Sequence, residues 1–199
     1  MGKVTTGATM SLDGYIAGPG DSGFDLLFQW YNNGDVDVPT GHPDIPIRTS
    51  AVSAAHLKAL WARTGALLVG RHLYDFTQAW GGRHPMDVTT VVLTHRLPGD
   101  RPAEDENFVF VTDGIEAAVA RAQELAGGKD VGVNGGQMAR QCLAAGLLDE
   151  VHIDLVPVLL GAGTPFFGEL GAGPVQLDGP LSVVEGTGVT HLRYAVRQS

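Results

Sequence analysis

Apolar residues along this chain follow two rhythms, short unbroken runs and longer stretches at helical spacing. Residues 66–70 (ALLVG), 90–94 (TVVLT), 108–112 (FVFVT) and 130–134 (DVGVN) are runs of strand length, the signature of strands buried on both faces. Helix-like stretches separate them. RHLYDFTQAW starts at residue 71, a second stretch opens at Asp113 with Glu116 three residues on and ends at Gly127, and GGQMARQCLAAG starts at residue 135. Upstream, residues 3–10 (KVTTGATM) predict a first strand and residues 24–31 (FDLLFQWY) a short helix. Ser50 is placed to cap a helix running to about Thr64, with Val52, Leu57, Leu60 and Trp61 as its apolar stripe. Residues 32–49, rich in Gly, Asp and Pro, read as an irregular excursion that shapes or covers a pocket. Residues 151–160 (VHIDLVPVLL) predict a long strand. The tail alternates about Gly186 and Gly188 with Leu192, Tyr194 and Val196 on one face, the pattern of an antiparallel hairpin. The whole predicts an α/β fold: a mixed, mostly parallel sheet flanked by helices, closed by a C-terminal antiparallel hairpin.

Composition narrows what such a fold is for. The 199 residues show no internal repeat and no low-complexity linker, so one domain is expected over 1–199. With 13 basic against 22 acidic residues the net charge is −9, which argues against nucleic acid as a partner. The one cysteine, Cys142, excludes an internal disulfide and a cysteine-rich zinc site, and its apolar neighbours mark it as a buried small hydrophobe. No apolar run is long enough for a membrane span and the N-terminus lacks a signal-peptide core, so a cytoplasmic protein without a membrane partner is expected. His42, His84 and His191 lack metal-ligand spacing and are read as surface or packing residues; no metal is predicted.

In open parallel sheets ligands sit beyond the carboxyl ends of the strands, and three junctions here carry suitable residues. Gly70-Arg71-His72 follows ALLV, offering a close backbone approach and a forked cation. Asn134-Gly135-Gly136-Gln137 follows VGV, and paired glycines before a helix form a small anion nest. Thr94-His95-Arg96 follows VVL with a hydroxyl, an imidazole and a second guanidinium. Each alone also reads as an ordinary turn. Together they suit a dinucleotide carrying an extra 2′-phosphate, although neither G-x-G-x-x-G nor the G-x-x-x-x-G-K-[ST] loop occurs.

Five motifs in order resemble the dihydrofolate reductase superfamily, and within it the C-terminal reductase domain of the bifunctional riboflavin-biosynthesis deaminase-reductase. They are SLDGYIAG (11–18), LLVGRHLYD (67–75), VVLTHR (91–96), VNGGQMARQCLAAGLLDEVHI (133–153) and PVLLGAGTPFF (157–167). The resemblance implies an NADPH-dependent reductase. It assigns Gly70, Arg71, His72 and Leu73 to the cofactor phosphates, and Thr94, His95 and Arg96 to the adenosine 2′-phosphate. It assigns Asn134, Gly135, Gly136, Gln137 and Met138 to the pyrophosphate and nicotinamide, and Tyr15, Ile16 and Ala17 to the gap between nicotinamide and substrate. It also implies a homodimer. His72 and Leu73 stand where a second basic residue and a threonine are common, which removes one phosphate-reaching hydroxyl. No H-x-E…P-C-x-x-C deaminase pattern occurs.

The resemblance places Asp25 like the acid that holds a pterin, and Asp13 is the other carboxylate at the same strand mouth. A carboxylate in an apolar pocket has a raised pKa and suits proton delivery. Asp25 reads equally as a helix N-terminal residue and Asp13 as a turn residue before Gly14. Trp30, on the same short helix as Asp25, is the candidate substrate-pocket wall. The leading expectation is hydride transfer to a small heterocyclic or carbonyl substrate, pterin- or pyrimidine-like. The alternatives are a non-catalytic NADPH-binding or sensing protein, and a stand-alone reductase of the 5-amino-6-ribosylaminouracil type.

Overall fold

The computed structural model describes residues 2–99, 106–171 and 173–197. In chain order it has β1 (Val4–Ser11), β2 (Tyr15–Ala17), α1 (Phe24–Leu27), β3 (Val36–Val38), β4 (Ile47–Thr49), α2 (Ala51–Arg63) and β5 (Thr64–Gly70). There follow α3 (Arg71–Phe76), β6 (Thr89–Leu93), β7 (Phe108–Val111), α4 (Ile115–Leu125), β8 (Asp130–Asn134) and α5 (Gln137–Ala144). The chain closes with β9 (Glu150–Val156), β10 (Thr164–Pro165), β11 (Leu177–Gly186) and β12 (Val189–Val196).

Eight strands form one sheet in the order β11-β12-β9-β1-β8-β5-β6-β7. The six from β9 to β7 are parallel, while β12 runs antiparallel to β9 and pairs with β11 as the C-terminal hairpin. Parallel strands need crossovers, and these cover both faces. Leu68, Val91 and Val131 point to a core shared with Ala118 and Ala122 of α4 and Ala139 and Cys142 of α5. Their neighbours Val69 and Val92 point the other way, against Tyr74 of α3, Phe108 and Phe110. A third cluster joins Leu27, Trp30, Leu57 and Val156 beneath α2. No helix is long and apolar enough to cross a membrane among the described residues.

The chain departs from its apolar pattern in five places, each with a local cause. α2 is capped by Ser50, whose hydroxyl accepts from Ser53 N at 3.3 Å, but its buried face is Ser53, Ala54 and Leu57 while Val52 stays exposed. Ser53 faces inward because its hydroxyl meets a buried imidazole, that of His191, at 3.0 Å. α3 stops at Phe76 because Thr77 Oγ1 donates back to Leu73 O at 2.8 Å and the next residues turn left-handed, with φ of 52°, 54° and 49° at Gln78, Ala79 and Trp80. The capping box at Asp113 does not form; Gly114 is the N-cap and no side chain caps α4. β9 ends at Val156 because Pro157 has no N–H to give the ladder. Residues 32–49 contain the β3–β4 ladder, in which Val38 pairs with Ile47.

Candidate active site

The connections after β5 and β8 leave the sheet in opposite directions. β5 leads through α3 to β6 on one side, and β8 leads through α5 to β9 on the other, so the two helix starts part and open a crevice above the strand ends. A cleft of about 1420 Å³ occupies it.

Of the fifteen residues that the resemblance assigns to the cofactor, fourteen line this one cleft: Ile16, Ala17, Gly70, Arg71, His72, Leu73, Thr94, His95, Arg96, Asn134, Gly135, Gly136, Gln137 and Met138. Tyr15 does not; β2 turns it toward Pro165, and its N–H donates to Ser11 Oγ at 2.9 Å. Register explains the convergence, since Gly70 lies beside Leu93 in β6 and Asn134 beside Gly7 in β1. Residues 32–49 add Ile45 and Ile47 to the wall.

The cationic side of the cleft is pre-built. Arg71 Nε donates to both carboxylate oxygens of Asp75 at 2.8 Å, and Nη1 donates to the Arg96 carbonyl at 3.2 Å. Thr94 Oγ1 donates to that same carbonyl at 2.9 Å, so its hydrogen braces the loop rather than facing a ligand. The two junctions are thus tied through one carbonyl, with the guanidinium of Arg71 held between them and exposed Arg96 alongside. His72 Nε2 sits 3.0 Å from Asp21 Oδ2 across the cleft rim.

The glycine pair is narrower than an open nest. Gly136 has φ 75° and ψ −134°, and its N–H donates to Phe166 O at 2.7 Å. The amides left for a ligand are those of the first turn of α5, from Gln137 onward. Gly135 is buried, and a Cβ there would meet Ala8 Cβ and Ile16 Cδ1 at 3.3 Å. This is a close approach of two loops that a larger residue would force apart.

The two candidate carboxylates, Asp13 and Asp25, do not line this cleft. Ser11 Oγ donates to Asp13 at 2.6 Å, and the amides of Gly161 and Leu160 donate to it at 2.7 and 3.1 Å. These hydrogen bonds, Ser11 first, hold the Asp13 carboxyl below its ordinary value, the reverse of the raised pKa a proton donor was expected to show. Asp13 fastens two loops together. Asp25 lies exposed in the first turn of α1, whose Phe24 and neighbouring Phe28 face the cleft instead. Trp30 is 1% exposed and sits behind the wall, its Nε1 donating to Thr9 Oγ1 at 3.3 Å; the wall residue is Tyr31.

The acidic group on the cleft floor is Asp154 of β9, with His152 two residues before it. In register, Asp154 lies between Thr9 of β1 and His191 of β12. His191 Nδ1 is 2.6 Å from Asp154 Oδ1, and His191 Nε2 is 3.0 Å from Ser53 Oγ. His56 of α2 stacks on the His191 ring with centroids 4.1 Å apart, its Nε2 3.9 Å from the same carboxylate oxygen. Burial first, then His191, pushes the His56 pKa down to about 4. His56, Asp154 and His191 could be taken as metal ligands. Planes only 16° apart do not meet within coordination distance, so the two stacked rings cannot both aim a lone pair at one ion. The sequence did carry a signal for this group. His152 and Asp154 alternate with Val151, Ile153 and Leu155, and a charged residue midway along a central strand needs a partner.

Comparison with known proteins agrees with the fold. The chain matches the RibD C-terminal domain family over residues 2–179. It is 25% identical over 161 residues to the uncharacterized protein YwjB of Bacillus subtilis (strain 168), covering 81% of this chain and 80% of the relative. It superposes on a candidate riboflavin biosynthesis protein of Shewanella sp. PV-4 with a TM-score of 0.73 at 22% identity, covering 98% of this chain and 99% of that one. Dihydrofolate reductase from Enterococcus faecalis, complexed with NADP(H), gives 0.57 at 17% identity, covering 99% and 97%.

Proposed function

This chain belongs to the RibD C-terminal domain family, and from that premise we propose that it is an NADPH-dependent reductase of a small heterocyclic or carbonyl substrate, pterin- or pyrimidine-like. The observation that carries the reading is the convergence of Arg71, Arg96 and the start of α5 in one cleft. Those groups fit a dinucleotide phosphate: two guanidinium forks for a terminal phosphate, and main-chain amides at a helix start for the pyrophosphate. When bound, the reduced nicotinamide supplies the hydride. The chain does the rest. Arg71 arrives already oriented by Asp75, so little side-chain freedom is lost on binding. Ile16, Ala17 and Met138 supply apolar walls that exclude water from the reacting end. Phe24, Phe28 and Tyr31 offer aromatic surface for a flat substrate. A homodimer is part of the same reading, supported by the edge strand β11, which exposes Leu181 and Val183 on one side.

Titration of purified protein with NADPH and NADH, for the wild type and Arg71→Ala, tests the reading. The variant should weaken NADPH about 5- to 150-fold, the worth of a charge-assisted contact of 1–3 kcal/mol, and NADH far less. Equal losses would remove Arg71 from the phosphate site. NADPH binding without oxidation by any pterin, pyrimidine or quinone would make the protein a sensor instead.

A further inference from the structure

The reductase reading needs a proton as well as a hydride, and neither carboxylate expected to supply it reaches the cleft. We propose that Asp154 is the proton donor at the substrate end of the cleft, and that His191 reloads it from a second, smaller cavity between α2 and the sheet; this rests on the reductase reading above.

The phosphate-type groups follow β5, β6 and β8, whereas Asp154 lies on β9 beyond β1, at the end of the cleft walled by Phe28 and Tyr31. Only one of its oxygens is engaged, since His191 and His56 both approach Oδ1, and Oδ2 makes no hydrogen bond among the described residues. The Asp154 side chain keeps 19% of its surface exposed while that of His191 keeps none. The carboxyl is therefore the member of the pair that a substrate can touch.

Reloading needs a path. At 2.6 Å one proton lies between His191 Nδ1 and Asp154 Oδ1, and Ser53 Oγ holds the other ring nitrogen. His191 also lines a cavity of about 90 Å³ together with His56, Arg63 and Arg193. Among the described residues Arg193 Nε is buried there without a hydrogen-bond partner, 3.8 Å from Glu150 Oε2. His56, kept neutral beside it, adds no competing charge.

The hydride carries two electrons to the carbon of a C=N or C=O bond, leaving the nicotinamide oxidised. The Asp154 O–H bond breaks as the new N–H or O–H bond forms on the substrate. Solvent in the small cavity then protonates the neutral His191 imidazole, and the imidazolium passes its Nδ1 proton to the carboxylate, so that carboxyl and imidazole both return to their neutral forms. The ionisable groups facing this pair are Tyr31 from the turn after α1, His56 and Arg63 from α2, Glu150 and His152 from β9, and Arg193 from β12.

The test uses the intact protein, with histidine-15N NMR, NADPH titration, and NADPH oxidation by a dihydropterin, a 5-amino-6-ribosylaminouracil phosphate and a benzoquinone. In the wild type the His191 Nδ1 proton should resonate far downfield and exchange slowly; in Asp154→Asn it should be lost. That variant should bind NADPH within twofold of wild type yet lose at least 100-fold in kcat, with KM changed less than threefold. His191→Gln, which keeps the carboxylate and serves alone if Asp154→Asn does not fold, should lose about tenfold in kcat. Its kcat should then fall steadily with rising pH where the wild type is level. A wild-type kcat in Asp154→Asn, a wild-type pH profile in His191→Gln, or unchanged His191 signals without the carboxylate would overturn the proposal and leave the reductase reading standing. A wild type that neither binds NADPH nor oxidises it with any of the three acceptors would remove the reading and the proposal together.

Discussion

Gly136→Ala probes the hinge on which the cleft is built. The residue holds φ 75° and ψ −134°, a region that only glycine enters freely. A Cβ there would meet Ile16 Cδ1 at 3.4 Å and Thr164 Cγ2 at 3.7 Å, which is ordinary contact. Crowding is thus not the main cost; the backbone is. Holding alanine in that conformation costs about 1–3 kcal/mol. Relaxing it instead turns the Gly136 N–H away from Phe166 O, now at 2.7 Å, at about 1 kcal/mol for the lost bond, and tilts the start of α5. Urea unfolding should show a loss of about 1–3 kcal/mol by either route. Gly146→Ala is the control, left-handed with φ 67° and nothing within 4 Å, and should lose about 1 kcal/mol. NADPH affinity separates the two, falling at least tenfold in Gly136→Ala and staying level in Gly146→Ala. A Gly136→Ala protein as stable as wild type, with unchanged affinity, would refute the backbone geometry and the role of that turn together.

Two further outcomes follow from buried groups. Burial pushes the Cys142 thiol up to about 12, leaving about one thiolate in ten thousand at pH 8, so an aromatic disulfide reagent should label it only after unfolding; rapid labelling of the native protein would contradict its place in the core. Burial pushes His84 down to about 4, with its Nδ1 accepting from Met86 N at 3.1 Å. The unfolded chain takes up that proton near pH 6.5 and the folded chain only near 4, so stability is full above 6.5 and drains as pH falls between the two, by about 3 kcal/mol. His84→Gln should flatten that acid limb in urea titrations at stepped pH, and an unaltered slope would show that another group sets it.

How much of this was legible in the sequence depended on whether a property was local. Unbroken runs such as ALLV and VVL announce strands covered on both faces, because each residue's burial follows from its own side chain. Glycines and cations directly after those runs mark the strand ends, since chain order alone puts Gly70-Arg71 and Gly135-Gly136 beside their strands. Fourteen of the fifteen cofactor candidates sharing one cleft is a consequence of that locality. The carboxylates were not local. Asp13 and Asp25 lie near the right strand mouth in sequence, but direction decides chemistry: Asp13 is claimed by the amides of Leu160 and Gly161 from the far end of the chain, and Asp25 faces water.

The sequence by itself determined the strand and helix rhythm and the family, because periodicity and ordered motifs are written in neighbouring residues. Only the tertiary structure decided which acid reaches the cleft floor. Asp154, His191, Ser53 and His56 come from β9, β12 and α2, and their meeting depends on sheet order and register. His191, which reads along the chain as a packing residue, is buried as such a residue would be, yet it holds the carboxylate on the cleft floor. Side-chain partners more than a hundred residues apart are fixed by the closing of the sheet, and no window of sequence contains that information.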